Sequence, residues 1–214
     1  MGTTKIDRAR VADAALELLN EVGLEGLTLR AIARELDVKA PALYWHFKDK
    51  QALLDEMATV MYRRMLAQEL PGPTPRSWQQ QMVAYQSALR GALLRYRDGA
   101  KVYSGSRFTG TDHADGLEDH LRTMVEAGFE LRQAVRAGVT VNAYTMGFVT
   151  EEQGVRPMPD ERREGYDIEE RAGRLERYPL AAAAGAEIFA NYDERFEDGL
   201  WIVVAGIEAR YGVT

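Results

Sequence analysis

The stretch DVKAPALYWHFKDK, Asp37 to Lys50, decides how the chain is read. Three adjacent rings, Tyr44, Trp45 and His46, stand between the small residues Ala40, Pro41 and Ala42 and a basic end at Lys48 and Lys50. Pro41 suits the first turn of a helix, where its missing N–H costs nothing, so a helix of about two turns is expected after the turn DVK. Leu43 and Phe47 are four apart and share one face. With those two as anchors, Ala40, Pro41, Ala42, Tyr44, Trp45 and His46 point mostly outward. A helix that only covered a core would carry solvated polar residues in their place.

Upstream, Val11, Ala15, Leu18, Leu19 and Val22 keep helical spacing, with Asp7 as the expected N-cap and Gly23 as the stop. Thr28 then caps a second helix in which Leu29, Ile32, Ala33 and Leu36 face inward and Arg30 and Arg34 outward. Two helices joined by a tight turn form a helix-turn-helix, whose second helix fits a DNA major groove about 12 Å wide. Ala42 and Pro41 can meet a thymine methyl; Tyr44, His46, Lys48, Lys50 and Arg30 can donate to phosphates or base edges. The plainer alternative places Tyr44 and Trp45 in a small three-helix core.

Downstream the periods lengthen. Asp49 caps a helix with Leu53, Leu54, Met57, Met61 and Met65 on one stripe, which the prolines of PGPTP, Pro71 to Pro75, bring to an end. Ser77 and Gln80 read as a capping box that opens the next helix, and Arg97 to Gly99 closes it. After a short segment at Ala100 to Tyr103 and a loop, helices are expected from Leu117 toward Gly128 and from Leu131 to about Glu152. The charged, Pro- and Gly-interrupted stretch from Gln153 to Tyr178 reads as a mobile loop with a short helix. In the last two helices, Ile188, Phe189, Phe196, Leu200, Val203, Val204 and Ile207 exceed one helix stripe, so a self-complementary face for a twofold dimer is expected there.

Composition narrows the classes. With 214 residues and 46% hydrophobic content the chain can bury a full core, and a net charge of −6 argues against a protein that coats nucleic acid electrostatically, so DNA contact must be local. The absence of cysteine removes thiol catalysis and thiolate metal sites, and three histidines leave little for a metal cage. MGTTKIDRARVAD has no apolar signal segment and no membrane-length apolar run follows, so a cytoplasmic protein is the default expectation. A head this small makes few base contacts, and two heads about 34 Å apart on a palindromic site would double them.

The segment Leu27 to Met57 resembles the DNA-binding head of the tetracycline repressor family. ALELLNEVGLEGLT upstream of it, SW at Ser77 and Trp78, RDGAKV at Arg97 to Val102, GSR at Gly105 to Arg107, EAGF at Glu126 to Phe129 and YTMGFVTEEQ at Tyr144 to Gln153 resemble the tetracycline repressor subgroup. The resemblance implies an all-α, dimeric, ligand-released transcriptional repressor. It implies a helix-turn-helix domain over 1–50, a ligand-binding and dimerisation domain over 51–214, and a linker helix over 51–70. It assigns DNA contacts to Thr28, Arg30, Pro41, Tyr44, Trp45, His46 and Lys50. Ala40 and Ala42, also in the reading helix, replace the family's polar base readers and imply a different operator.

The same resemblance places ligand contacts at Leu66, Tyr85, Leu89, Tyr103, Ser106, Arg107, Phe108, His120 and Glu151. Leu66, Tyr85 and His120 stand where the family has histidine, asparagine and glutamine. Tyr103 stands where a histidine meets drug and Mg²⁺, and a protonated phenol is a poor ligand for a hard cation, so no cofactor is expected. The aromatic positions suggest a large, flat, partly apolar inducer of drug or polyketide type. Arg107 and Phe108 double as expected switch residues between ligand and linker helix. Two other classes stay open. One is a DNA-binding regulator without a small-molecule input; the other is an enzyme built on Glu151, His120 and Tyr103, which no nucleophile elbow or phosphate loop accompanies.

Overall fold

The computed structural model describes residues 7–68 and 77–213, and among them every regular element is a helix. In order these are α1 (Arg8–Gly26), α2 (Leu29–Glu35), α3 (Ala40–Tyr44), α4 (Lys50–Leu66), α5 (Trp78–Leu94), α6 (Gly99–Tyr103), α7 (His113–Glu126), α8 (Leu131–Val155), α9 (Ile168–Arg174), α10 (Pro179–Phe189) and α11 (Tyr192–Tyr211). They form two compact packing units, one of residues 1–70 with 88–120 and the other of 71–87 with 121–214. This is a division by packing, distinct from the functional boundary expected at 50/51.

Local chemistry sets the helix starts. Asp7, Thr28 and Asp49 each accept a backbone N–H three residues on, from Arg10, Ala31 and Ala52, so all three expected caps form. Ser77 and Gln80 close their reciprocal box at 3.1 and 3.3 Å. Gly23 takes a left-handed φ of 66° and kinks α1 where a stop was expected.

In the first unit α1 packs on α2 and α4, α2 on α3, and α4 on α6. Val11, Leu19, Ile32, Leu43, Phe47, Leu53 and Met57 are buried there. The reading helix is shorter than the two turns expected. After Tyr44 the chain continues through tight turns in which the N–H groups of His46 and Phe47 both bond to the Leu43 carbonyl, at 3.0 and 2.9 Å. The anchor spacing survives because either geometry returns Phe47 to the core. α4 ends at Leu66, short of the 51–70 expected, and PGPTP lies outside the described residues.

The second unit is built on α8 and α11. Ala134, Ala137 and Val141 meet Phe196, Leu200, Val204 and Ile207, with Trp78, Met82, Met124 and Phe129 completing the cluster. Gly199 permits the close approach, since a Cβ there would strike the Tyr144 ring and hydroxyl. Only part of the residue set expected for a dimer face on α10 and α11 is thereby corrected. Phe196, Leu200, Val204 and Ile207 are spent on the interior, because α8 presents a matching apolar stripe. Exposed apolar surface remains at Leu180 and Ile188 on α10 and at Trp201 and Ile202 on α11, and Leu131, Val135 and Val139 on α8 add to it. α8 extends to Val155, and α9 supplies the short helix expected between Gln153 and Tyr178.

Candidate functional site

α2, the turn and α3 form a rigid platform. Asp37 adopts a left-handed φ of 51°, which reverses the chain, and the Val38 N–H returns to the Ala33 carbonyl at 2.9 Å. Leu43 and Phe47 are 0% exposed, whereas Trp45 is 89% exposed and Tyr44 stands out beside it. The core alternative for these two rings is therefore excluded. Arg30, Pro41 and Lys48 are exposed, and Ala40, Ala42 and His46 half-buried. Thr28 is exposed while its hydroxyl caps α2. Lys50 sends its ammonium to the Leu24 carbonyl at 2.7 Å, holding the α1–α2 connection. Arg8 was given no role by spacing. Its guanidinium reaches Glu56 and the His46 carbonyl, and no local pattern signals a pairing across 48 positions.

In the same unit, the loop after α6 is fastened to one stripe of α4. The Arg107 N–H donates to Asp55 Oδ1 at 3.0 Å and the Thr109 N–H to Thr59 Oγ1 at 2.9 Å. Arg63 grips Asp112 with two bonds of 2.6 and 3.0 Å. Asp55, Thr59 and Arg63 are four apart, so all three face the loop. Arg63 also holds the Asp112 carboxyl below its ordinary range through those bonds. Phe108 is the loop's centre, with ring centroids of Tyr62, His113 and Tyr103 at 4.8, 5.2 and 5.7 Å. Burial, then the charges of Asp112 and Asp115, raise the Tyr62 phenol, which keeps it protonated. Ser106 is tied back to α6 by a 2.7 Å bond from its hydroxyl to the Val102 carbonyl.

The turn between α5 and α6 is fastened to the end of α1. Asp98 accepts from the Leu24 N–H at 3.0 Å and from Lys101 at 2.7 Å. Asn20 accepts from the Arg97 N–H at 2.8 Å. Burial would push the Asp98 carboxyl up, but Leu24, Lys101 and Arg97 together hold it below the ordinary value.

Of the expected ligand residues, Tyr103, Ser106, Arg107 and Phe108 come together in this loop. In the same unit Leu66 is exposed at the end of α4 and Leu89 is fully buried. His120 is half-buried, and that burial pushes its imidazole below the ordinary value, favouring the neutral form. Tyr85 and Glu151 belong to the second unit, the first half-buried and the second exposed. The carboxylate that α8 turns inward is Glu152, on the stripe of Thr145 and Val149. Tyr103 turns its ring edge-on to Phe108 and offers a phenol, a poor ligand for a hard cation, where a metal site would call for an imidazole or carboxylate.

An all-helical chain with a helix-turn-helix whose aromatics face outward, followed by a helix to which a polar loop is fastened, defines a DNA-binding regulator. Residues 11–57 match the tetR family of bacterial regulatory proteins, and residues 70–211 match the tetracyclin repressor-like C-terminal domain. The chain belongs to the tetracycline repressor family, and it is a ligand-responsive, DNA-binding repressor. It is 40% identical to the class A tetracycline repressor protein of transposon 1721 from Escherichia coli, over 97% of this chain and 93% of that one. Among solved structures, TetR from Acinetobacter baumannii AYE in complex with minocycline, there a point variant, shares 33% identity at a TM-score of 0.73, covering 97% of this chain and 99% of its own. A possible TetR family transcriptional regulator from Streptomyces coelicolor A3(2) shares 36% identity at a TM-score of 0.79, over 95% of this chain and 99% of that one.

Proposed function

We propose that this repressor acts as a cytoplasmic homodimer on a palindromic operator and leaves it on binding a flat, partly apolar aromatic molecule, of the drug or polyketide kind, without magnesium. The single observation that carries the release mechanism is the row Asp55, Thr59 and Arg63, which hands any movement of the Tyr103–Asp112 loop directly to α4. A ligand that binds better when that loop is shifted draws α4, and with it the reading segment, away from the DNA-competent arrangement. Thr28, Arg30, Pro41, Tyr44, Trp45, His46 and Lys50 are the DNA contacts in this reading, with Ala40 and Ala42 reading apolar features of the groove. Lys50 keeps two N–H donors for phosphate beyond its bond to Leu24. The ligand contacts in this reading are, within the first unit, Leu66, Leu89, Tyr103, Ser106, Arg107, Phe108 and His120.

The exposed stripes Leu131, Val135, Val139 and Trp201, Ile202 support self-association, since such apolar helix faces ordinarily mark an interface. Among the described residues no helix is long and apolar enough to cross a membrane. Family membership supports action by binding rather than by turnover.

Selection from a random duplex pool with the full chain is expected to return a palindrome whose half-sites are centred about one helical turn apart. Calorimetry against tetracyclines, minocycline included, and aromatic polyketides, with and without Mg²⁺, is expected to find a magnesium-independent binder that also releases the selected duplex. Recovery of no palindrome removes the dimeric reading, and a binder that strictly requires Mg²⁺ removes the reading of Tyr103.

A further inference from the structure

Arg8, the first residue of α1, touches three residues at once. Its Nε and Nη2 stand 2.9 and 2.8 Å from one oxygen of Glu56 in α4, and its Nη1 donates to the His46 carbonyl at 2.5 Å. Its guanidinium carbon lies 4.5 Å from the centre of the Phe47 ring. Glu56 is only 6% exposed, so its charge needs a fixed partner, and a planar guanidinium is the cation that can serve a carboxylate, a carbonyl and a ring face together. The His46 carbonyl lies just past the reading helix, where backbone acceptors lack helical partners.

We propose that Arg8 is a positioning residue for operator recognition: it joins α4 to the exit of the reading helix and so fixes the pitch of Tyr44, Trp45 and His46. The charge that an N-terminal arginine would otherwise offer to phosphate is consumed by Glu56, and a shift of α4 reaches the reading segment through Glu56, Arg8 and the His46 carbonyl. This rests on the reading of α2 and α3 as the DNA-contacting unit.

The test uses the full chain with two probes, the palindromic duplex recovered by selection and a scrambled duplex of the same length. Arg8→Gln is expected to lose on the order of tenfold affinity for the palindrome, the size of one charge-assisted hydrogen bond, with binding to the scrambled duplex unchanged. The salt dependence of palindrome binding keeps its slope. Glu56→Gln gives a similar loss, and the double variant binds no worse than the weaker single one. Arg8→Lys, which keeps the charge but not the fork, stays impaired.

A phosphate contact would behave otherwise. Its loss would lower the salt slope by about 0.9 and weaken both probes, and Arg8→Lys would restore it. That pattern, additive losses in the double variant, or wild-type affinity in Arg8→Gln overturns the proposal. Should Arg8→Gln fail to fold, Arg8→Leu with Glu56→Leu removes both charges of the pair together; a folded double variant that discriminates the palindrome fully also overturns it. If no palindrome is recovered at all, the proposed function fails before Arg8 is tested, so the two failures are distinct.

Discussion

Two short aromatic stretches of the same packing unit use their rings in opposite ways. Around Trp45 the rings face solvent, because Leu43 and Phe47 are the side chains this segment buries. Around Phe108 the ring turns inward, into contact with Tyr62 of α4, Tyr103 of α6 and His113 of α7. An outward ring on a fixed base is free to be contact surface. An inward ring shared by three helices cannot move without moving them, which suits a residue that reports a bound ligand.

Three substitutions would break or sharpen this contrast. The largest effect belongs to the base itself: Phe47→Ala is expected to cost about 3–5 kcal/mol in urea unfolding and to abolish operator binding with it. A variant that unfolds normally would mean that the outward rings do not depend on that base. Phe108→Ala should cost about 2 kcal/mol, less than a full core deletion because the ring is half-buried, with each lost aromatic pair worth roughly 0.5–1.5 kcal/mol. Ligand-driven release of the selected duplex should weaken as well; a variant unchanged in both stability and release would dismiss Phe108 as the hub. Trp45→Ala should move stability by no more than about 0.5 kcal/mol, yet lower affinity for the palindrome by roughly tenfold. If its thermal midpoint falls as far as that of Phe108→Ala, the two stretches are not opposites after all.

The parts legible in the sequence are those governed by neighbours in the chain. Asp7, Thr28 and Asp49 cap because a short acceptor three residues before a free N–H suffices, and Leu43 with Phe47 needs only a spacing of four. The face used by a long apolar helix was not legible in this way. The excess in α11 fitted a partner chain as well as a neighbouring helix, and only the matching stripe on α8 settles that Phe196, Leu200, Val204 and Ile207 are internal. The loop residues Tyr103 to Phe108 could be named from motifs, but the hydrogen bonds of Arg107 to Asp55 and of its neighbour Thr109 to Thr59 join positions about 50 apart. Arg8 was missed for the same reason. A single arginine at a helix start looks like a solvated charge until the fold brings a buried carboxylate to it.

α4 is also a lever. At 17 residues it is a rod of about 25 Å, so a pivot of only about 5° sweeps its far end by roughly 2 Å. That travel exceeds the narrow range of distances over which a donor and a base edge stay hydrogen-bonded. An inducer therefore has no need to unfold anything or to make a large rearrangement: a sub-ångström displacement near the fulcrum, geared up along an unbroken rod, is enough to take a DNA-reading element out of register.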